Sequence, residues 1–229
     1  MVDRLQQAGD FTVDELSLIT TSGLRVNLIP NVVKLTIFED INQSCISGTI
    51  TIQDSMNLSS HGPIIGQEFL SMKVRTSSAQ DDAGIIDYTK NLLAVHSLKK
   101  KKKVGNNVQL YNLSFVSMEL VRNQRIKVKK SFTLPWSDIV LSMLVNQLQT
   151  KKNIFVEKTV GVKKYIAPNI RPLDVVNTAR DQSVATYKSS PTYLFYETLK
   201  GFNFRTLASL YNEKPFMEYT TFQAGALVG

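Results

Sequence analysis

Residues 169–183 read NIRPLDVVNTARDQS and residues 190–211 read SPTYLFYETLKGFNFRTLASLY. Pro172 opens a helix, at a position where its missing N–H costs little. Leu173, Val176, Ala179 and Val184 continue from it at helical spacing. Asp174 falls in the first turn, where the helix dipole favours a carboxylate. Two aromatic strands follow, over 192–198 and 202–207, joined at Lys200-Gly201, with a short turn after them. Gly201 is expected to take positive φ there, a conformation that a β-branched residue resists. Tyr193 and Phe195 share a strand face with Glu197, while Tyr196 points the other way. Aromatic residues on both faces predict a strand covered on both sides. Tyr193, Phe195, Tyr196, Phe202 and Phe204 are therefore candidate packing and interface residues. The segment is built to pack and holds no catalytic constellation.

Upstream, residues 11 to about 121 read as strands. Residues 15–21 and 24–29 flank Ser22-Gly23, a tight hairpin turn. Residues 32–39 are rich in β-branched side chains. In residues 45–53, Ile46, Gly48, Ile50 and Ile52 take one face against Ser47, Thr49 and Thr51. Leu70, Met72 and Val74 alternate with Phe69, Ser71, Lys73 and Arg75. Two further strands, 91–98 and 108–117, flank a run of lysines. Six to seven short strands with turn signals point to a small barrel or sandwich.

Residues 122–135 are basic without clear periodicity and read as a linker. The period then becomes helical through Trp136, Ile139, Val140, Met143, Leu144 and Leu148, with Pro135 near the start and Thr133 as candidate N-cap. Phe155, Val156 and Val160 predict extended structure. The organisation expected is an N-terminal tail over 1–10, a β-barrel domain over 11–125 and an α+β domain over 126–229. The second domain has two helices and a β-hairpin, and the fold class is β-rich α+β.

A chain of 229 residues with 43% hydrophobic and 20% charged residues is ordinary globular material. No apolar run reaches the roughly 18 residues of a membrane span. Residues 1–10 lack the apolar core of a signal peptide. Cys45 is the only cysteine, which excludes an intramolecular disulfide and a multi-cysteine zinc site and suits a reducing cytoplasm. The net charge of +8 is unevenly placed. Lys90, Lys99 to Lys103, Arg122, Arg125, Lys127, Lys129 and Lys130 face a single acid in that stretch, Glu119. Such a patch can hold an acidic protein face or a phosphate backbone.

No nucleotide-binding, zinc-protease, hydrolase or calcium-loop motif occurs. The two histidines are isolated: His61 sits in a polar loop and His96 on a strand beside the lysines. Cys45 has no histidine or helix N-terminus beside it in sequence and reads as a bystander. Glycoside hydrolysis needs two carboxyl groups at a set separation. Asp81-Asp82 read as solvated, and neither Asp174 nor Glu197 finds a partner. No enzymatic activity, cofactor or metal is expected. Lys99, Lys100, Lys101, Lys102 and Lys103 read as a solvated hairpin tip, with docking to an acidic neighbour as the functional alternative. Nucleic-acid contact finds little support, since Tyr88 and Tyr111 are the only aromatics nearby.

Several of these segments resemble the baseplate central hub protein of T-even-like contractile-tailed phages. Ile37-Phe-Glu-Asp, then residues 44–55, SCISGTITIQDS, are similar to that family's first barrel. Residues 62–68, GPIIGQE, resemble the segment after it. Residues 168–179 and 193–210 match the second domain in order and spacing, with FYETxxGFxF the most specific element. The resemblance implies a virion protein made in the host cytoplasm, whose ring joins the tail tube to the central spike. Its partners would be tube, spike and other baseplate proteins. It also implies a homotrimer, in which two barrels per subunit match a sixfold tube. Residues 222–229 show no second barrel, so a chain complete at Gly229 would instead form a hexamer. A basic nucleic-acid-binding module is the alternative function, followed by a tail-associated lytic enzyme.

Overall fold

A computed structural model describes residues 11–55, 64–76, 84–105 and 108–215. The expected N-terminal tail, His61, Asp81-Asp82 and the ending at 222–229 lie outside the described residues. The larger layer is one antiparallel sheet of β1 (Phe11–Ile19), β2 (Arg25–Asn27), β3 (Val32–Phe38), β4 (Ser47–Asp54), β5 (Phe69–Thr76), β6 (Ile85–Asp87), β7 (Leu93–Lys103) and β8 (Gln109–Ser117). Its order is β2-β1-β5-β7-β8-β4-β3, with β6 added to β5. The alternation read from the sequence is realised. Ile50, Ile52, Leu70, Met72, Leu113 and Phe115 are buried in one core, with Leu16, Leu18 and Tyr111.

The expected barrel does not close. Among the described residues no ladder joins β3 to β1, β2 or β6. β2 pairs with Ser17 to Ile19 and so occupies part of the outer edge of β1. The two ends of the sheet instead face each other across a groove of about 510 Å³, lined by Phe11, Val13, Val74 and Ile86 on one side and Leu35 and Ile37 on the other.

Gly48 shows why one position in this sheet lacks a side chain. It pairs with Phe115 across the β4–β8 ladder. A Cβ there would lie 2.2 Å from the Phe115 ring and 2.5 Å from the Thr36 carbonyl oxygen. The aromatic ring thus covers the glycine and fills the space that it leaves.

After β8 come α1 (Met118–Arg125), β9 (Val128–Leu134), α2 (Trp136–Ser142), a π-helical turn (Met143–Gln147), β10 (Ile154–Val156), β11 (Lys163–Ile170), α3 (Pro172–Gln182), β12 (Tyr193–Thr198), β13 (Gly201–Thr206) and α4 (Leu207–Tyr211). The stretch read as a linker is therefore the end of a helix followed by a strand. β9 pairs antiparallel with β11, a strand that the sequence did not reveal. β10 lies parallel to β13, and β13 antiparallel to β12. The second core gathers Trp136, Ile139, Val140, Leu144, Val176, Phe195, Phe202 and Phe204.

Thr206 caps α4 locally by accepting from the Ser209 N–H, but α2 and α3 are capped by residues distant in sequence. Thr133 lies in β9, and α2 begins after Pro135 with no local side-chain cap. Thr159 accepts from the Ser137 N–H at 3.0 Å instead. The N-cap of α3 is Arg171, whose side chain makes no cap bond. Asn123 Oδ1 accepts from the Leu173 N–H at 2.8 Å in its place. Arg122 donates to the carbonyls of Leu148 and Gln149, closing the π turn. Val184 falls outside α3 and is exposed.

Candidate functional site

The two cores meet at a buried ion cluster. Glu119 stands in the first turn of α1, Lys152 follows the π turn, and Glu197 is near the end of β12. Lys152 Nζ lies 2.7 Å from Glu119 Oε2 and 2.6 Å from Glu197 Oε1, with side-chain exposures of 8%, 4% and 0% respectively. The remaining carboxylate oxygens are bonded. Thr150 Oγ1 donates to Glu119 at 2.7 Å, and the Ile46 N–H donates to Glu197 at 2.9 Å. Ile46 belongs to the core of the large sheet, whereas its neighbour Cys45 packs into the second core. Leu199, beside the β12–β13 turn, packs back on the first core.

Two carboxylates share one ammonium, so the cluster is electrostatically lopsided. Burial opposes the charge on Lys152, but Glu197 and then Glu119 outweigh it and raise its pKa. Burial raises the Glu197 pKa against the pull of Lys152. Burial, then Glu197 and Glu119, pushes the Cys45 thiol well up, which makes it a poor nucleophile. A buried ion pair of this kind adds little net stability over an apolar replacement, but it is costly to break. The cluster spans the junction of the two cores, since Glu197 on β12 also accepts from Ile46 of the first core. The sequence carried half of its signal: Glu119 is the lone acid among the cations between Lys90 and Lys130.

The lysine run is not a hairpin tip. Lys99 to Lys103 lie within β7, with Lys99 opposite Asn112, Lys102 opposite Leu110 and Lys103 opposite Gln109. A bulge falls between Lys99 and Lys102, and Lys100 takes φ +55°. The turn itself begins at Val104, whose N–H bonds the Val108 carbonyl. β5 pairs with β7 only at Leu93 and Ala94. Beyond them the lysine-bearing half of β7 has β8 as its strand partner. All five lysines are exposed. His96 is exposed on the same strand, its pKa lowered by partial burial and then by Lys99.

The aromatic candidates are all buried within the chain: Tyr193, Phe195, Tyr196, Phe202 and Phe204. Tyr193 stacks on Phe204 at 4.6 Å and Phe195 on Phe202 at 5.8 Å between ring centroids. Tyr193 also donates to the carbonyls of Glu157 and Lys158, anchoring the loop before β11. Tyr193, Phe195, Phe202 and Phe204 belong to the second core, Tyr196 is buried outside it, and all five present little surface. Among the described residues no cluster of histidine, cysteine, aspartate or glutamate could hold a metal ion. None of the described helices is long and apolar enough to cross a membrane.

No family model matches this sequence, and no curated protein matches it. Solved structures do align with it. The 43 kDa tail protein of prophage MuSo2 from Shewanella oneidensis aligns over 83% of this chain and 52% of its own, with TM-score 0.54 and 9% identity. The tail protein from Neisseria meningitidis MC58 aligns over 83% of this chain and 49% of its own, with TM-score 0.47 and 12% identity. A type VI secretion component of E. coli, described as similar to T4 phage tail proteins gp27 and gp5, aligns over 85% of this chain and 48% of its own, with TM-score 0.42 and 10% identity. The chain spans about half the length of each. Its β-rich α+β fold is therefore one found in a phage tail protein.

Proposed function

We propose that this chain is a structural component of a contractile phage tail, a baseplate hub whose ring joins the tail tube to the central spike. The observation that carries this reading is the shared fold with the prophage tail protein over 83% of the chain. The motif order that resembles the T-even-like hub supports the same reading. Two sheet ends left unpaired among the described residues, with the exposed side chains of Phe11 and Val33 at the groove between them, suit a protein that completes its surface in an assembly. The chain would work by binding rather than by catalysis. It would form a trimer where a second barrel is supplied and a hexamer where it is not. The exposed lysines of β7 would orient docking on an acidic neighbour, with charge setting encounter rate more than affinity.

Cryo-electron microscopy of purified tail particles tests this. The chain is expected as a ring between tube and spike. Its absence from such particles, or turnover of peptidoglycan by the pure protein, would sink the assignment. Replacing Lys99 to Lys103 with serine is expected to spare the ring and to slow docking most at low salt, where screening is weak. Loss of tight duplex-DNA binding in that variant at about 0.15 M salt, where the Debye length is about 8 Å, would favour the nucleic-acid alternative.

A further inference from the structure

We infer that the ribbon formed by β9 and β11 is a second docking surface, built for an acidic protein face with an apolar centre. Residues 122–137 and 158–173 each contain cations and no acid. They are separate in sequence, and the ribbon places them side by side in register. Phe132, Val128 and Ala167 turn inward and are buried. The outward face therefore consists of Lys129, Ser131 and Thr133 on β9 and Lys164, Ile166 and Pro168 on β11.

Ile166 is 72% exposed, stands opposite Ser131 and has Lys164 two residues before it. Lys129 lies diagonally across. The face is therefore an aliphatic side chain beside the small hydroxyl residues Ser131 and Thr133, with an ammonium toward either end. Lys127, two residues before Lys129, extends the same charge, while Lys130 lies over the Phe132 ring on the other face. None of these lysines is ion-paired to a described acid.

The chemistry favours protein over nucleic acid. Single-stranded nucleic acid is held by cations interleaved with exposed aromatic rings. Here the ribbon's aromatics, Phe132 and Tyr165, stack on each other, and Tyr165 also packs on Trp136. An aliphatic residue flanked by cations suits a partner with an apolar spot flanked by carboxylates. This surface covers the second core, whereas the lysines of β7 belong to the large sheet, and it stands whether or not the chain proves to be a hub.

The full-length chain is titrated with a fluorescent peptide in which glutamates alternate with leucines, at low salt and at about 0.15 M, where screening reaches over about 8 Å. Binding is expected to weaken about tenfold, or about 1.4 kcal/mol, in K129S/K164S and separately in I166S. All these side chains face solvent, so thermal melting should be unchanged. In tail particles, carbodiimide should join Lys129 or Lys164 to an aspartate or glutamate of another protein. Lysines on strand edges also guard against edge pairing. That role alone predicts aggregating variants with unchanged peptide affinity, and this result would overturn the inference. So would duplex DNA bound more tightly than the peptide and lost in the same variants, or no peptide binding by the wild type. Absence of the chain from tail particles would sink the hub reading, while the titration would still decide the ribbon.

Discussion

Lys152 Nζ lies 2.6 Å from Glu197 Oε1, and the other oxygen of that carboxylate accepts from the backbone N–H of Ile46. One side chain of β12 thus joins the second core to the first. The same ammonium holds Glu119 at the root of the helix that connects them. Lys152 therefore stands among the contacts that join the two cores, beside the Ile46–Glu197 bond and the packing of Leu199 on the first core.

Replacing Lys152 with methionine keeps most of the volume and leaves two buried carboxylates facing each other. The expected cost is about 3–5 kcal/mol, because an uncompensated buried charge is far worse than an absent pair. Urea denaturation measures it. Adding Glu119→Gln and Glu197→Gln to the same chain should recover much of the loss. A midpoint unmoved by K152M would show that the cluster does not hold the cores together.

The raised pKa of Lys152 has a definite sign in stability. Once pH passes the unfolded value of about 10.4, the native state keeps a proton that the unfolded chain has released. Its contribution is complete below that pH and is lost as pH rises through the folded value. Tyr88, Tyr111, Tyr193 and Tyr196, all raised chiefly by burial, act in the same direction. The lysine is isolated by comparing wild type with K152M between about pH 9 and 12. The variant's alkaline loss should be shallower by up to about 1.4 kcal/mol per pH unit. Parallel slopes would exclude Lys152 as a source.

Gly201 takes φ +131°, and a Cβ there would lie 2.1 Å from the carbonyl oxygen of Asn153. That carbonyl accepts the Phe202 N–H at 2.9 Å, the contact that starts the β10–β13 pairing. Gly201→Val is expected to destabilise the chain by about 2–4 kcal/mol, from backbone strain and the clash together. Gly201→Ala should retain much of this penalty. A melting curve unchanged in both would remove Gly201 from that role.

Gly48→Ala should cost about 1–3 kcal/mol, since the added methyl drives the Phe115 ring off its pair position. Phe115→Leu opens space on the facing strand. The double variant should then be less destabilised than the sum of the two single changes, as contacting residues are not additive. Simple additivity in a denaturation cycle would show that the ring and the glycine are not coupled.

The sequence alone determined what depends on short-range periodicity. Alternation placed Ile50 and Ile52 in a core, Pro172 opened a helix, and Gly201 was the positive-φ residue of the β12–β13 connection. Each of these is set by a side-chain period or by a backbone preference within a few residues. β11 escaped notice because only Ala167 is fully buried along it, and a proline interrupts it. Only tertiary structure decided which edges pair. β2 lands on β1, no ladder among the described residues closes the barrel, and the lysine run is drawn into β7 by its ladder with β8. Partners across long separations were equally invisible. Thr159 caps α2, Asn123 caps α3, and Glu197 meets Ile46 from 151 residues away. Burial brings such groups together, and a buried N–H or carboxylate then takes whichever partner the packing supplies.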